Sequence, residues 1–274
     1  MKKVLSVILA AGIMVSSFST TMNSEAASGK TTVYVVSKIS EKGDTDSYLE
    51  FKYNSKGLLV ETRHPNPSYS ENGSGTVDSI NKFSYNKANK IKKIEYIAGY
   101  DATKDVTVIK YKKGNVVSKK TKTAPDGKKY KALNSVKSFK YDSDDKLKST
   151  SAFSYTYDKK GRIKAITSST DAKTKRTYSY DKKGYVKSYL DISNNPEGVS
   201  KKTVKFKNSY KSGRLVKRNN YKISYKKISI PKSSKELVEK QQRSIIEDFT
   251  ANDGCNDSYM PGLDIAISWG HYNF

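Results

Sequence analysis

A short tyrosine-centred motif recurs along most of this 274-residue chain and constrains its fold more than any other feature. The clearest copies read Tyr-Asp-Lys-Lys-Gly-Arg-Ile at residues 157–163 and Tyr-Asp-Lys-Lys-Gly-Tyr-Val at residues 180–186. Recurrence of this kind predicts a repeated supersecondary unit, and it places no reactive group at any particular position. The copies align on the last aromatic residue before each turn: Tyr53, Tyr85, Tyr111, Tyr141, Tyr157, Tyr180, Phe206 and Tyr225.

Nearly every copy has another large apolar residue two positions earlier, as Phe51 precedes Tyr53. Side chains at i and i+2 share one face of a β-strand, so each pair predicts a strand with one apolar face. The residues between the pairs face the other way and are Lys52, Ser84, Lys110, Lys140, Thr156, Ser179 and Lys205. An apolar residue returns after each turn, at Leu58, Ile91, Val116, Leu147, Ile163, Val186 and Leu215, so the repeated unit is predicted to be a hairpin.

The turn residues agree with hairpins. Asp at the first turn position can bond forward to the backbone, and Gly three positions later can adopt the positive φ of a type I turn with a bulge. We expect Gly57, Gly161, Gly184 and Gly213 to fill this role. Asn89 and Asp145 stand where other copies have Gly, and both residue types tolerate the left-handed region.

The predicted fold is mainly β, an antiparallel sheet of repeated hairpins that is curved or partly wound, with a C-terminal capping helix. A strand at residues 32–37 would start the sheet. After Pro231, Ser233 and Glu236 can form a capping box that begins a helix. One broad face of that helix, which should end near residues 251–254, carries Leu237, Val238, Gln241, Ile245, Ile246 and Phe249. Repeat arrays need such atypical ends to cover an exposed edge or face.

The motif resembles that of the YD-repeat family, also called Rhs-type repeats: Tyr-Asp, two variable residues, Gly, a polar residue and an aliphatic one. The match is close at residues 157–163 and 180–186, and partial near Tyr53, Tyr141 and Phe206. The resemblance implies an extracellular sheet of hairpins. Large members of that family wind such a sheet into a shell around a cargo polypeptide, a function that we do not carry over to this chain.

The amino end resembles a secretory signal, because Met1-Lys2-Lys3 precedes an apolar stretch at residues 4–18 and small residues follow at 24–27. The stretch is shorter than the roughly 20 residues of a membrane span, so no transmembrane anchor is expected. We divide the chain into a signal peptide (1–27), a repeat domain (28–230) and a helix with capping segment of the same domain (231–274). The predicted location is extracellular or at the bacterial cell wall, and Cys255 is left as a free thiol.

The formal charge is +25, and removal of residues 1–27 leaves 50 basic and 26 acidic residues, a charge of +24. Such a field attracts polyanions at low salt and weakens within a Debye length of about 8 Å at physiological salt. For a secreted chain, teichoic acids or acidic glycans are the expected partners, and nucleic acid is not. The competing interpretation is solubility, since lysines on the wet face of a sheet prevent aggregation.

Catalytic and metal-binding signals are weak, so no catalytic, cofactor-binding or metal-ligating residue is assigned and a non-enzyme is expected. Neither His64, in a segment that reads as a loop, nor His271 lies in a recognisable motif. The carboxylate clusters lack the ligand order of an EF-hand loop; they are Asp44/Asp46, Asp142/Asp144/Asp145 and Asp253/Asp257. Most of the 21 tyrosines should be core, and the better candidates for exposed contacts are Tyr69, Tyr100, Tyr189 and Tyr210.

Two classes of function remain open at this point. The first is a secreted, non-enzymatic binding or structural protein that associates with anionic polymers through its basic surface. The second is a carrier or shell whose curled sheet encloses an apolar ligand or peptide. A secreted hydrolase is a weaker third hypothesis. The sequence does not distinguish an open sheet from a closed one, and it does not indicate the oligomeric state.

Overall fold

The computed structural model describes residues 29–43, 48–65, 77–98, 103–125, 128–136, 138–251, 258–260 and 265–267. The predicted signal peptide lies outside these residues, as do several residues named above: Asp44, Asp46, Tyr69, Tyr100, Asp253, Cys255, Asp257 and His271. The division of the chain into domains stays a prediction.

The described residues are mostly strands. In chain order these are β1 (Lys30–Glu41), β2 (Tyr48–Tyr53), β3 (Leu59–Pro65), β4 (Val77–Tyr85), β5 (Ile91–Ala98), β6 (Lys104–Lys112), β7 (Asn115–Ala124), β8 (Lys131–Val136), β9 (Lys140–Tyr141), β10 (Leu147–Ser149), β11 (Phe153–Tyr157), β12 (Ile163–Ser168), β13 (Lys175–Tyr180), β14 (Val186–Asn195), β15 (Gly198–Lys205), β16 (Asn208–Lys211), β17 (Arg214–Arg218), β18 (Tyr221–Pro231), β19 (Ser258–Met260) and β20 (Ile265–Ile267). A 3-10 turn (Lys232–Ser234) and the helix α1 (Lys235–Ala251) follow β18.

These strands form two large antiparallel sheets. The first has 11 strands in the order β16-β17-β18-β1-β2-β3-β4-β5-β6-β7-β8, and the second has 7 in the order β15-β14-β13-β12-β11-β10-β9. Strands β19 and β20 pair only with each other in the described part of the chain. The sheets are not closed into a barrel. The predicted class, a mainly β fold of antiparallel hairpins with a C-terminal helix, is confirmed.

From β1 to β18, strands that follow one another in sequence lie side by side, except at β8/β9 and β15/β16, where the chain passes between the sheets. Hydrogen bonds cross both interruptions. The Tyr141 hydroxyl in β9 donates to the Val116 carbonyl in β7 at 3.1 Å. At the other interruption, Asn208 Nδ2 in β16 donates to the Val186 carbonyl in β14 at 3.3 Å and to Asp181 Oδ2 at 2.8 Å. The two sheets are therefore joined at both ends.

The first strand lies inside its sheet, which corrects the expectation that it starts the array. β1 pairs with β2 on one side and with β18 on the other, in a register that runs from Lys30↔Pro231 to Glu41↔Tyr221. A shift between Val36 and Lys38 interrupts this register. The 11-residue strand β18 pairs with β1 along most of its length, so β1 has a neighbour on both sides. The edges of the sheet are therefore β16 and β8.

Burial follows the predicted period of two. Phe51 is buried while Lys52 is exposed, and Ile109 is buried while Lys110 is exposed. The apolar faces of β1–β7, β17 and β18 form one core together with Ile245 and Ile246 of α1. The second sheet has two smaller cores, built around Val186/Tyr189/Phe206 and Leu147/Tyr155/Ile163. The lysine-rich positions of the motif therefore face outward.

The helix α1 lies across the inner face and contacts both sheets. Gln241 Oε1 accepts the Leu59 amide at 2.8 Å, and Gln242 Oε1 accepts the Val36 amide at 2.7 Å. Farther along α1, Glu247 Oε1 accepts the Val186 amide of the second sheet at 2.8 Å. The predicted apolar helix face is confirmed as the packed face, and its polar members also satisfy backbone groups at irregular points of the sheets.

The start of the helix differs from the prediction. Ser233 lies inside the 3-10 turn, and the residue that precedes that turn, Pro231, makes no side-chain capping bond. The predicted capping box at Ser233 is therefore wrong. Strand pairing is the physical reason, because β18 continues to Pro231 and the Lys232 amide donates to Gly29 O at 3.0 Å. In the described part of the chain, no helix is both long enough and apolar enough to span a membrane.

Candidate functional site: the turn edge

Seven hairpin turns lie at one edge of the two sheets, because alternate connections of an antiparallel array fall on the same side. We call this set of turns the turn edge. It comprises residues 54–58, 86–90, 112–115, 142–146, 158–162, 181–185 and 211–214. The turn edge is where the repeated motif places most of its Asp, Lys and Gly residues.

The longer turns are closed by the carboxylate or amide of their first residue. Asp158 Oδ1 accepts the amides of Lys160 and Arg162, both at 2.9 Å. Asp181 Oδ1 accepts the amides of Lys183 at 2.9 Å and Tyr185 at 3.1 Å. These are side-chain bonds of the Asx-turn type, which favour Asp and Asn at this position.

Most of the turn residues that were predicted to have a positive φ do have one. Asn89 and Asp145, which replace the motif glycine, both have φ of 57°. Gly213 also has positive φ, at 78°, but it belongs with Ser212 (48°) to a two-residue turn, so its predicted bulge geometry is wrong. The reason is loop length: Lys211 pairs with Arg214, which leaves two residues and favours a type I′ turn.

A ladder of phenol hydrogen bonds runs just inside the turn edge. Every aligned tyrosine donates its hydroxyl to a backbone carbonyl of an adjacent or nearby strand, at 2.6 to 3.1 Å: Tyr53 to Val36, Tyr85 to Leu59, Tyr111 to Ile91, Tyr141 to Val116, Tyr157 to Leu147, Tyr180 to Ile163 and Tyr225 to Leu215. Burial is the main cause that raises the pKa of several of these phenols above 10.0. The motif tyrosines are thus structural donors.

Phe206 interrupts the ladder because it has no hydroxyl, and Arg218 supplies the missing donor. Arg218 Nη2 donates to the Val186 carbonyl at 2.9 Å, and its Cζ lies 5.0 Å from the centroid of the Phe206 ring. The guanidinium is fully buried and pairs with Glu247 through Nη1 and Oε2 at 2.6 Å. Sequence reasoning missed this pair, and phenylalanine at a tyrosine position was the available signal. Its role is to join α1 to both sheets.

Neighbouring turns touch one another along the turn edge. Lys56 Nζ donates to Asn89 Oδ1 at 3.3 Å, and Lys90 Nζ donates to the Gly114 carbonyl. Asn115 Nδ2 then donates to Asp145 Oδ1 in the fourth turn at 2.9 Å. The first four turns are therefore linked in order.

The remaining turns continue the series. Lys146 Nζ lies 6.0 Å from the Tyr157 ring centroid, and Arg162 Cζ lies 4.2 Å from the centroid of the Tyr180 ring. Tyr210, beside the last turn, donates its hydroxyl to Asp181. Burial opposes ionisation of Asp181, but hydrogen bonds from Tyr210, Asn208 and the turn amides outweigh it and lower the pKa.

The turn edge carries a set of exposed lysines that form no ion pair with the described carboxylates. They are Lys87, Lys112, Lys113, Lys159, Lys160, Lys182, Lys183 and Lys211. On parts of the outer faces, in contrast, cations are paired with carboxylates: Glu61 binds Lys52 at 2.9 Å and Arg63 at 2.5 Å. Within the turn edge, Asp144 and Asp145 make the turn at residues 142–146 acidic.

The predicted contact tyrosines have structural roles. Tyr189 is 2% exposed and packs against Phe206 with ring centroids 5.8 Å apart, and Arg176 stacks on it at 4.1 Å. Tyr210 is half-buried and bonded to Asp181. The expectation of an exposed contact is wrong for Tyr189, because a position off the motif also faces inward where the strand alternation requires it, and the Tyr210 hydroxyl is already bonded to Asp181.

His64 lies in strand β3, opposite Ser79, and not in a loop. It lines a shallow, open depression at the opposite edge of the sheet. The other lining residues are mostly apolar or aromatic, namely Ile39, Glu41, Tyr48, Leu49, Tyr221 and Phe249.

Asp142 belongs to a turn, where its Oδ1 accepts the amides of Asp144 and Lys146, both at 2.9 Å. Asp144 binds Lys146 through its carboxylate at 3.1 Å. Across the described residues, no group of three or more His, Cys, Asp or Glu side chains is placed to hold a metal ion.

Comparison with known proteins gives a weak likeness in structure only. No family model and no curated protein sequence matches the chain. Among solved structures, a complex described as TcdB2-TccC3-TEV aligns with 63% of this chain and 12% of its own, at 10% identity and a TM-score of 0.30. The Photorhabdus luminescens Tc holotoxin pore with a TccC3 mutation aligns over the same shares, at 11% identity and a TM-score of 0.28.

A third structure, TcdB2-TccC3-Cdc42, covers 67% of this chain at 11% identity and a TM-score of 0.23. The chain therefore spans about one eighth of the length of these proteins, 12% in each case. At such TM-scores the likeness carries no argument about what this chain binds or does.

Proposed function

We propose that this chain is a secreted or cell-surface protein, without catalytic activity, that binds anionic polymers through its basic surface. It would be a short member of the YD-repeat class, which the motif at residues 157–163 and 180–186 supports. Both of these copies form hairpins whose turns are closed by the motif aspartate. The signal-like amino end supports an extracellular location.

The observation that carries this proposal is the imbalance between paired and unpaired charge. Several carboxylates are already bound to cations, as Glu95 is to Lys93 at 2.9 Å and Asp191 is to Arg176 at 2.5 Å. Exposed lysines without such partners remain at the turn edge, and others lie on the outer faces, for example Lys120 and Lys122. This unneutralised charge produces a field that attracts polyanions and is screened by salt.

The carrier hypothesis has less support. It requires the apolar inner face to be available for a ligand, whereas side chains of α1 pack on much of that face in the first sheet. Val238, Ile245 and Ile246 are each at most 1% exposed in this position. We therefore favour charge-mediated binding of a polyanion over the carrier hypothesis.

The test is co-sedimentation of the mature protein, from Ser28 onward, with purified bacterial cell wall across a salt series. Wall stripped of teichoic acid is the control. We expect retention on intact wall that falls steeply with salt and is absent on stripped wall. Retention that stays constant at high salt would show that charge is not the mechanism, and no retention at any salt would make the basic surface a solubility feature.

A further inference from the structure

We propose that the turn edge is the binding surface and that its ligand is a linear phosphodiester polymer of the polyol-phosphate kind. This inference rests on the proposed function, which requires only that some part of the basic surface binds a polyanion. It assigns the site to particular lysines and the ligand to one chemical class.

The arrangement of charge suits a linear ligand. The acidic turn at residues 142–146 divides the turn edge into two basic arcs, one with the turns at 54–58, 86–90 and 112–115 and one with the turns at 158–162, 181–185 and 211–214. Successive turns are two strands apart, which places them about 10 Å from one another. A polymer can contact several turns of an arc at once, whereas a single small anion would meet only one, so affinity should grow with polymer length.

The lysines stand on a backbone that is already ordered. The second arc contains Lys159 and Lys160 in a turn that Asp158 closes with two amide bonds, and Lys182 and Lys183 in a turn that Asp181 closes in the same way. Ordering of the backbone therefore adds little to the entropic cost of binding. Only the lysine side chains remain to be ordered.

The turn residues of the second arc that carry a cation without an ion pair or a ring contact are lysines, and the guanidinium of Arg243 in α1 lies beside Gly184, 5.5 Å from the Tyr185 ring centroid. Arg162 is held by Asp158, with Nε to Oδ2 at 2.7 Å, and Arg214 lies over the Tyr34 ring at 3.8 Å. A guanidinium fork forms paired contacts with carboxylates and phosphates alike, whereas an ammonium acts as a point charge that does not require that geometry. The second arc therefore offers spaced point charges, which a flexible chain with one phosphate charge per repeat can follow.

The aromatic side chains next to the turn edge are partly buried and hydrogen-bonded, so they do not offer exposed ring faces to a ligand. The exposed large hydrophobic side chains of the described residues are Tyr34, Val108, Val117, Tyr130 and Val199, and none belongs to these turns. The nearby motif tyrosines are partly buried and donate to backbone carbonyls. Binding of single-stranded nucleic acid normally uses aromatic rings on which bases stack, so a polymer without bases fits this surface better.

Two variants with equal charge test the site. The edge variant replaces four lysines of the second arc with glutamine, K159Q, K160Q, K182Q and K183Q. The face variant replaces four exposed strand lysines, K110Q, K120Q, K122Q and K201Q. Binding is measured with labelled poly(glycerol phosphate) fragments of increasing length at physiological salt, and circular dichroism checks that both variants remain folded.

We expect the edge variant to bind at least about tenfold more weakly and the face variant within about threefold of the parent. Affinity of the parent should rise with fragment length until a fragment spans an arc. A gain-of-charge variant, D144N with D145N, should bind more tightly and keeps the left-handed position at residue 145, which Asn tolerates.

Equal losses in the edge and face variants would overturn the assignment to the turn edge while leaving charge-mediated binding intact. Tighter binding of polygalacturonate or single-stranded DNA than of poly(glycerol phosphate) would overturn the assigned ligand chemistry. Absence of binding to all three polymers would overturn the proposed function itself.

Discussion

Alkaline pH should unfold this protein cooperatively, because the phenol ladder keeps its protons only in the folded state. Burial raises the pKa of Tyr53, Tyr85, Tyr180 and Tyr225 far above the ordinary value of 10.0. In the unfolded chain these phenols ionise near their ordinary value. The stability that they contribute is therefore fully present below pH 10.0 and is lost as the pH rises toward their folded pKa values.

The magnitude follows from linkage. Each phenol that is protonated in the folded state and ionised in the unfolded state lowers the free energy of unfolding by about 1.4 kcal/mol per pH unit. Four such groups give about 6 kcal/mol per pH unit above the unfolded pKa. Against a total stability of about 5 to 15 kcal/mol, unfolding is expected about one to three pH units above the unfolded pKa.

The assay follows far-UV circular dichroism and tyrosinate absorbance in one alkaline titration, and the two transitions should coincide. Tyr225→Phe should reduce the slope of stability against pH by about 1.4 kcal/mol per pH unit, since one linked proton is lost. The matched control is Tyr130→Phe, because Tyr130 is 49% exposed and is not part of the phenol ladder. Ionisation of most tyrosines near pH 10.0 with the circular dichroism signal unchanged would refute the reasoning.

Three further predictions concern stability, each measured by urea denaturation. Gly57→Ala should cost about 1 to 3 kcal/mol more stability than Gly213→Ala, although both glycines have a similar positive φ. An added Cβ at Gly57 would lie 2.8 Å from a side chain of α1, whereas one at Gly213 would meet nothing within 4 Å. Equal losses would show that α1 does not pack on the turn at Gly57. Arg218→Met should cost about 3 to 5 kcal/mol because it leaves the buried carboxylate of Glu247 unpaired, and the double variant with Glu247→Met should recover part of that loss. A double variant whose loss equals the sum of the two single losses would contradict this reasoning. Hydrogen bonds outweigh burial and lower the pKa of Asp181 below 3.8, so its contribution to stability is present above pH 3.8 and is lost as the pH falls through the folded pKa. Asp181→Asn should therefore reduce the loss of stability on acidification. An unchanged loss would contradict the assignment.

Local chemistry was sufficient to predict the repeated hairpins. The alternation of Phe51, Lys52 and Tyr53 correctly placed two side chains on the inner face and one outside. Asn89 and Asp145 were correctly placed in the left-handed region, because only a few residue types tolerate positive φ. Such features depend on a few neighbouring residues and so can be inferred from the chain alone.

Features that depend on distant partners were predicted less well. Ser233 has the sequence of a helix cap, yet pairing between β18 and the start of β1 delays the helix to Lys235. Tyr189 and Tyr210 had no local signal of burial, although one packs on Phe206 and the other binds Asp181. Of the candidate site, the sequence supplied the lysine-rich turns but not the contacts between successive turns.

The sequence by itself determined the repeating unit, its turns, its two-faced strands and the excess of positive charge, because each depends on periodicity, backbone preference or composition. Only the tertiary structure decided that β18 pairs with β1 and that the array passes between two sheets. It also decided that Arg218 replaces a missing phenol and that the lysine-rich turns meet at one edge. These outcomes depend on which strand ends pair and which carbonyls lack a donor, and both are settled only when residues far apart in sequence pack together.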